Sequence, residues 1–264
     1  MLTYFGVSED DVKEAANQID TIRDLLQERL MSADAEIVES AYQELQDKAV
    51  EISVNIAKKT MKETNASSCT DRLSGLFTLP VWNRLSEKSR SFLVTADYTY
   101  ENMIQQDSRE EFDYSGVCLL VTKAVEVESC NRFFNEYKAY LVEKLGSNVD
   151  SWPDAMTKTD RFGRKYAAWD FTLGSVVHIT GYDKEMNDVS FLDYASSVLY
   201  PGKEAIWIKN QLKSACEFVE KVRKDYRNPA SHKESIKMVT AAECLDYVIN
   251  VQKKLKEMIV YMNH

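Results

Sequence analysis

The sequence predicts an all-α protein, and three of its features carry that prediction. Gly and Pro are scarce, 8 and 4 in 264 residues, so few positions break a helix. Long stretches rich in Glu, Lys, Ala, Leu and Gln repeat apolar side chains at intervals of three and four, the spacing that puts them on one helical face. With 44% hydrophobic residues the chain has enough apolar surface to bury one large core or two small ones.

Val12, Ala15, Ile19, Ile22, Leu26 and Leu30 form a first apolar stripe, and Val38, Ala41, Leu45, Ala49, Ile52 and Ile56 a second one after Ser32-Ala33-Asp34. They predict a helical hairpin as a first unit, 1–65. A lone two-helix pair cannot cover both stripes, so the hairpin is expected to pack on the rest of the protein or on another chain. The polar run Thr64-Asn65-Ala66-Ser67-Ser68 is the expected boundary with a second unit, 66–264.

In that second unit Ser86 can cap a helix reaching about Gln105, with Leu93, Ala96, Tyr100, Met103 and Ile104 inward. Asp113 can cap a longer one that ends near Leu145, with Gly146 as its stop. Pro153, Gly163, Gly174, Gly181 and Pro201 punctuate an irregular insertion at about 147–200 of loops and short helices, where Ser175–Thr180 also reads as a strand. Ala205, Ile208, Leu212, Ala215, Val219, Val222 and Tyr226 define a further helix, expected to stop near Asn228 because the residue before a proline is pushed out of the α region. Pro229 then suits the first turn of a last helix through Val239, Leu245, Val248, Leu255 and Met262. Short turns inside each pair of long helices predict antiparallel packing.

The start of the chain lacks the basic-then-apolar layout of a signal peptide and no run is apolar enough to span a bilayer, so a cytoplasmic protein with no membrane partner is expected. Five widely spaced cysteines without a Cys-x-x-Cys pair read as reduced core thiols, and no metal or cofactor is expected. The net charge of −9 argues against nucleic acid, yet residues 1–57 carry all of it, with four basic against thirteen acidic side chains. Between Lys203 and Lys237 nine Lys or Arg face five Asp or Glu.

That basic region contains the sharpest chemical signal, Arg227-Asn228-Pro229-Ala230-Ser231-His232. Metal-free RNA cleavage needs a base for the attacking 2′-OH, an acid for the leaving oxygen and positive charge on the phosphate. Histidine titrates near neutrality, and arginine offers a planar, permanently charged fork of donors. A helix start at Pro229 would add free N–H groups for an anion. Spacing alone does not distinguish this from a capped turn with a surface histidine; the Asn after Arg, the Pro and the place between two long helices favour chemistry.

These residues resemble the Arg, polar residue, several residues, His motif of the HEPN superfamily. Leu85–Ala96, Asp113–Cys118 and Ala124–Glu126 are also similar to stretches of bacterial HEPN proteins, so the likeness covers about 85–145 and 204–262. It implies an antiparallel four- or five-helix bundle, here with the hairpin and the insertion added. It also implies a homodimeric, metal-independent endoribonuclease acting on single-stranded RNA, tRNA or mRNA, as a toxin or antiviral-defence effector. Arg227 and His232 become the catalytic pair, and Asn228 a substrate-binding or orienting neighbour. The superfamily also holds inactive members, so the alternative is a helical module that binds nucleotide or protein. The acidic hairpin is the candidate surface for a protein partner or antitoxin.

Other carboxylates carry two readings. Glu126, with Glu128 and Asp97, is either a supporting residue that pairs with Arg227 or part of a solvated face. His178, among apolar neighbours, is expected to be partly buried, and His264 to be disordered.

Overall fold

The computed structural model describes residues 9–32, 35–60, 63–169, 171–182, 189–231 and 235–263, and within them the fold is an all-α bundle with one small β-hairpin. Helices α1 (Glu9–Leu30) and α2 (Ala35–Thr60) form the expected hairpin. Arg29 reaches across it to Glu44 at 2.5 Å and to the Ser40 hydroxyl at 3.1 Å. The polar run 64–68 is helical and lies inside α3 (Glu63–Phe77), which is followed by the short α4 (Leu79–Arg84).

Ser86 caps α5 (Glu87–Ile104) as expected, its hydroxyl accepting from the Ser89 N–H at 3.1 Å. The second predicted long helix is a continuous rod: α6 (Ser115–Ser129), a π-helical turn (Cys130–Asn135) and α7 (Glu136–Leu145). Gly146 ends it at φ +77°, a conformation a side chain would strain. The start of α5 meets the end of α6 through Ser89 and the Ala124 carbonyl, and Tyr100 stacks edge-on with Tyr114 at the other end. The two helices are therefore antiparallel, and α6, with Val117, Leu120, Val121, Ala124 and Val125 buried, runs through the core.

The insertion holds the strand pair β1 (Thr157–Thr159) and β2 (Lys165–Ala167), then α8 (Ser175–Ile179) and α9 (Val189–Tyr194). The strands are antiparallel, with Lys158 opposite Tyr166. The segment readable as a strand is thus the helix α8, and the β-hairpin lies earlier.

The C-terminal part departs most from expectation. Helix α10 (Ala205–Lys221) continues through a π-helical turn (Val222–Arg227) into α11 (Asn228–Ser231), so it does not stop before Pro229. Asn228 keeps α-helical angles, φ −63° and ψ −48°. The preference against helix before proline is outweighed by packing: Tyr226 and Ala230, on either side, are both buried, and α11 lies against α6. The predicted last helix is divided into α12 (Met238–Leu245), a π-helical turn (Asp246–Asn250) and α13 (Lys254–Val260), with Lys253 at φ +53° between them. Helices α10 and α13 are antiparallel, since Trp207 at the start of one packs edge-on with Tyr261 at the end of the other.

The acidic hairpin packs on the bundle rather than standing apart. Helix α2 lies against α5 and α6, and its Val50 joins the core. Lys123 of α6, almost buried, is paired with Asp47 of α2 and with Glu126 one turn along its own helix. Among the described residues no helix is long and apolar enough to cross a membrane.

Candidate active site

Arg227 closes the π-helical turn and is half-buried together with Asn228 and Pro229. Its guanidinium Nη1 donates to the Asn228 side-chain oxygen at 3.3 Å, and the Ser231 hydroxyl donates to the Arg227 carbonyl at 2.8 Å. His232, the other half of the expected catalytic pair, lies outside the described residues, as does His264. The expected helix start at Pro229 is absent, so the free N–H groups it would have offered to an anion are absent too. Positive charge at this point comes from the side chains.

Those side chains are partly neutralised within the same helix. Glu220 accepts two hydrogen bonds from Arg223, at 2.9 and 2.7 Å, and a pairing from Lys224 at 2.9 Å. The Arg223 hydrogen bond is the main reason that the Glu220 carboxyl is lowered to about 2, and burial opposes it. Lys221 is paired with Asp225 at 2.5 Å and lies over the rings of Tyr226 and Tyr247.

The chain just beyond the motif is tied to the start of α6. The Asp113 carboxylate accepts from Ser115 N–H and from Ile236 N–H, both at 3.0 Å, and Tyr114 N–H donates to the Ile236 carbonyl at 2.9 Å. Burial works to raise the Asp113 carboxyl, but hydrogen bonds from Ser115, Ile236 and Ser235 outweigh it and leave it below the usual carboxylate range. The sequence marks Asp113 as the cap of this helix, but Tyr114 is the residue before α6 and makes no side-chain cap; Asp113, one residue earlier, holds the segment after the motif through a contact between residues 123 positions apart.

The other carboxylates are not a solvated face. Glu126 is nearly buried and pairs with Lys123, so its place in the molecule is the tether between α6 and the hairpin. Glu128 is fully buried, pairs with Arg132 and accepts from Ser86 N–H at 2.8 Å. Asp97 is 1% exposed and paired with Arg72, which also donates to Asn250 at 3.3 Å. His178, expected to be partly buried, is exposed, because the segment forms a helix and turns its Val176 and Ile179 inward instead. Cys118, Cys216 and Cys244 are buried, Cys69 and Cys130 are half-buried, and none of the five is in a disulfide. Among the described residues no three His, Cys, Asp or Glu side chains gather as a metal site would require.

No protein-family model matches the chain, and comparison with curated proteins and with solved structures found no match either.

Proposed function

We propose that the protein is a metal-independent endoribonuclease of HEPN type that cuts single-stranded RNA as a homodimer. The observation that carries the reading is the Arg227–Asn228 pair, half-buried and hydrogen-bonded at the end of a core helix, four residues ahead of His232 from Asn228. In this reading the Arg227 fork binds the scissile phosphate, Asn228 orients that fork, and His232 moves the proton of the 2′-OH or of the leaving oxygen. A two-fold dimer that faces its motifs across one groove supplies a second Arg and His to the same phosphate.

The test is cleavage of a mixed RNA substrate by the purified protein, by Arg227→Ala and by His232→Ala. Loss of roughly 100- to 10,000-fold is expected for each, the usual contribution of a positioned acid or base. Activity is expected to survive chelators, to leave 2′,3′-cyclic phosphate ends and to spare DNA, which lacks the 2′-OH. Undiminished cleavage by both variants overturns the assignment.

A second reading, an inactive helical module that binds nucleotide or protein, is favoured by one observation. Lys221, Arg223 and Lys224, the cations just before Arg227, are all paired with Glu220 or Asp225. Specific binding of RNA without any cleavage by the wild-type protein selects this reading.

A further inference from the structure

The strongest unassigned surface is the β-hairpin of the insertion. Residues 157–169 carry Lys158, Arg161, Arg164 and Lys165 against the single acid Asp160, in a chain whose net charge is −9. The same thirteen residues expose three aromatic rings: Phe162 at 68%, Trp169 at 64% and Tyr166 at 37%. Single exposed apolar side chains are ordinary, but three rings on one short segment forgo burial that the core would otherwise gain.

Charge and ring are interleaved. The Arg161 and Arg164 guanidinium groups lie 4.7 and 5.5 Å from the centre of the Phe162 ring. Lys158 stands opposite Tyr166 in the ladder and its ammonium is 5.8 Å from the centre of the Trp169 ring. A planar guanidinium laid on a ring still offers its outer face to a base, as does the ring itself.

The platform is also held rigid. Gly163 N–H donates to the Asp160 carbonyl and Asp160 N–H to the Arg164 carbonyl, both at 3.0 Å, and Gly163 takes the positive φ of +80° that closes such a turn. The Asp160 carboxylate accepts from Phe162 N–H at 2.8 Å and Arg164 N–H at 2.9 Å. At the base, Ala168 N–H donates to the buried Met156 and Lys138 to the Ala168 carbonyl. Little order is left to impose when a ligand arrives. Beyond the hairpin, a Cβ added at Gly174 would lie 3.7 Å from the Arg223 side chain, four residues before Arg227.

We infer that this hairpin binds single-stranded nucleic acid, stacking bases on Phe162, Tyr166 and Trp169 and setting phosphates against Lys158 and Arg161, while Arg164 and Lys165 are paired with Asp160 and Asp154, both at 2.8 Å. It deepens the ribonuclease reading by naming where the substrate strand is gripped, and it rests on that reading only for the strand being RNA. Double helices present no free ring faces, so a duplex is a poor ligand.

The experiment is an anisotropy titration of the full-length protein with oligo(U) and oligo(dT) of about ten nucleotides, at two salt concentrations. The dT probe has no 2′-OH and reports binding without cleavage. Phe162→Ala and Trp169→Ala are each expected to weaken binding about tenfold, with an unchanged thermal midpoint because both side chains are exposed. Phe162→Trp should retain the affinity. Arg161→Gln should lower the slope of log affinity against log salt by about 0.7, the share of one phosphate contact. Cleavage by a wild-type protein whose oligonucleotide affinity is indifferent to the hairpin substitutions overturns this inference alone. Hairpin-dependent binding without cleavage supports it and sinks the ribonuclease reading. Failure of both oligonucleotides to bind, or hairpin-dependent binding only to phosphatidylglycerol vesicles, overturns it.

Discussion

Arg132→Met is expected to destabilise the protein by about 3–5 kcal/mol, the usual cost of removing one partner from a buried ion pair. The Arg132 side chain is 5% exposed and that of Glu128 0%. Besides the ion pair, Glu128 accepts from Ser86 N–H, and Arg132 Nη2 donates to the Arg84 carbonyl at 3.1 Å. The cluster therefore fastens the turn between α4 and α5 onto the rod of α6 and α7. Methionine fills much of the space but leaves a carboxylate without its cation and away from water, and the Arg84 carbonyl loses that donor, worth about 1 kcal/mol. A domain with about 5–15 kcal/mol of total stability then loses about a fifth of it or more. Glu128→Gln/Arg132→Met removes the stranded charge yet keeps an oxygen for Ser86, so it is expected to regain most of the loss. Urea unfolding followed by circular dichroism measures all three proteins. A single substitution costing under about 1 kcal/mol, or a double variant no more stable than the single one, would refute the argument.

Lys123→Met should loosen the acidic hairpin, because Asp47 and Glu126 lose the cation that joins α2 to α6; amide exchange in α2 is expected to rise while α10 keeps its protection, and equal protection everywhere speaks against the tether. Glu220 should shape the acid limb of stability. Its carboxyl is lowered from 4.5 to about 2, so its contribution is full above pH 4.5 and is lost as pH falls toward about 2. Thermal midpoints of Glu220→Gln across that range should fall less steeply with acid than those of the wild type, and parallel curves would count against the Arg223 pairing.

What the sequence by itself determined is what local chemistry determines. The three-and-four apolar spacing placed α1, α2, α5, α10 and the rod from Ser115 to Leu145, and single residues marked ends: Ser86 as a cap and Gly146 as a stop. The turn signal Asp160-x-x-Gly163 was equally local, yet strands of three residues are too short to show a period, and the hairpin with its exposed rings went unread. The motif residues Arg227 and Asn228 were legible as types in a row, and their hydrogen bond is a neighbour contact. Only the tertiary structure decided the rest, because the partners are distant in the chain. Asp97 meets Arg72 and Glu128 meets the Ser86 N–H only after the helices pack, so carboxylates that looked like a solvated face became buried tethers; the exposed Asp47 and Asp113 likewise find Lys123 and Ile236 on distant elements. Pro229 shows the same rule in the backbone: its local preference to end a helix was overruled by the burial of Tyr226 and Ala230 against the core.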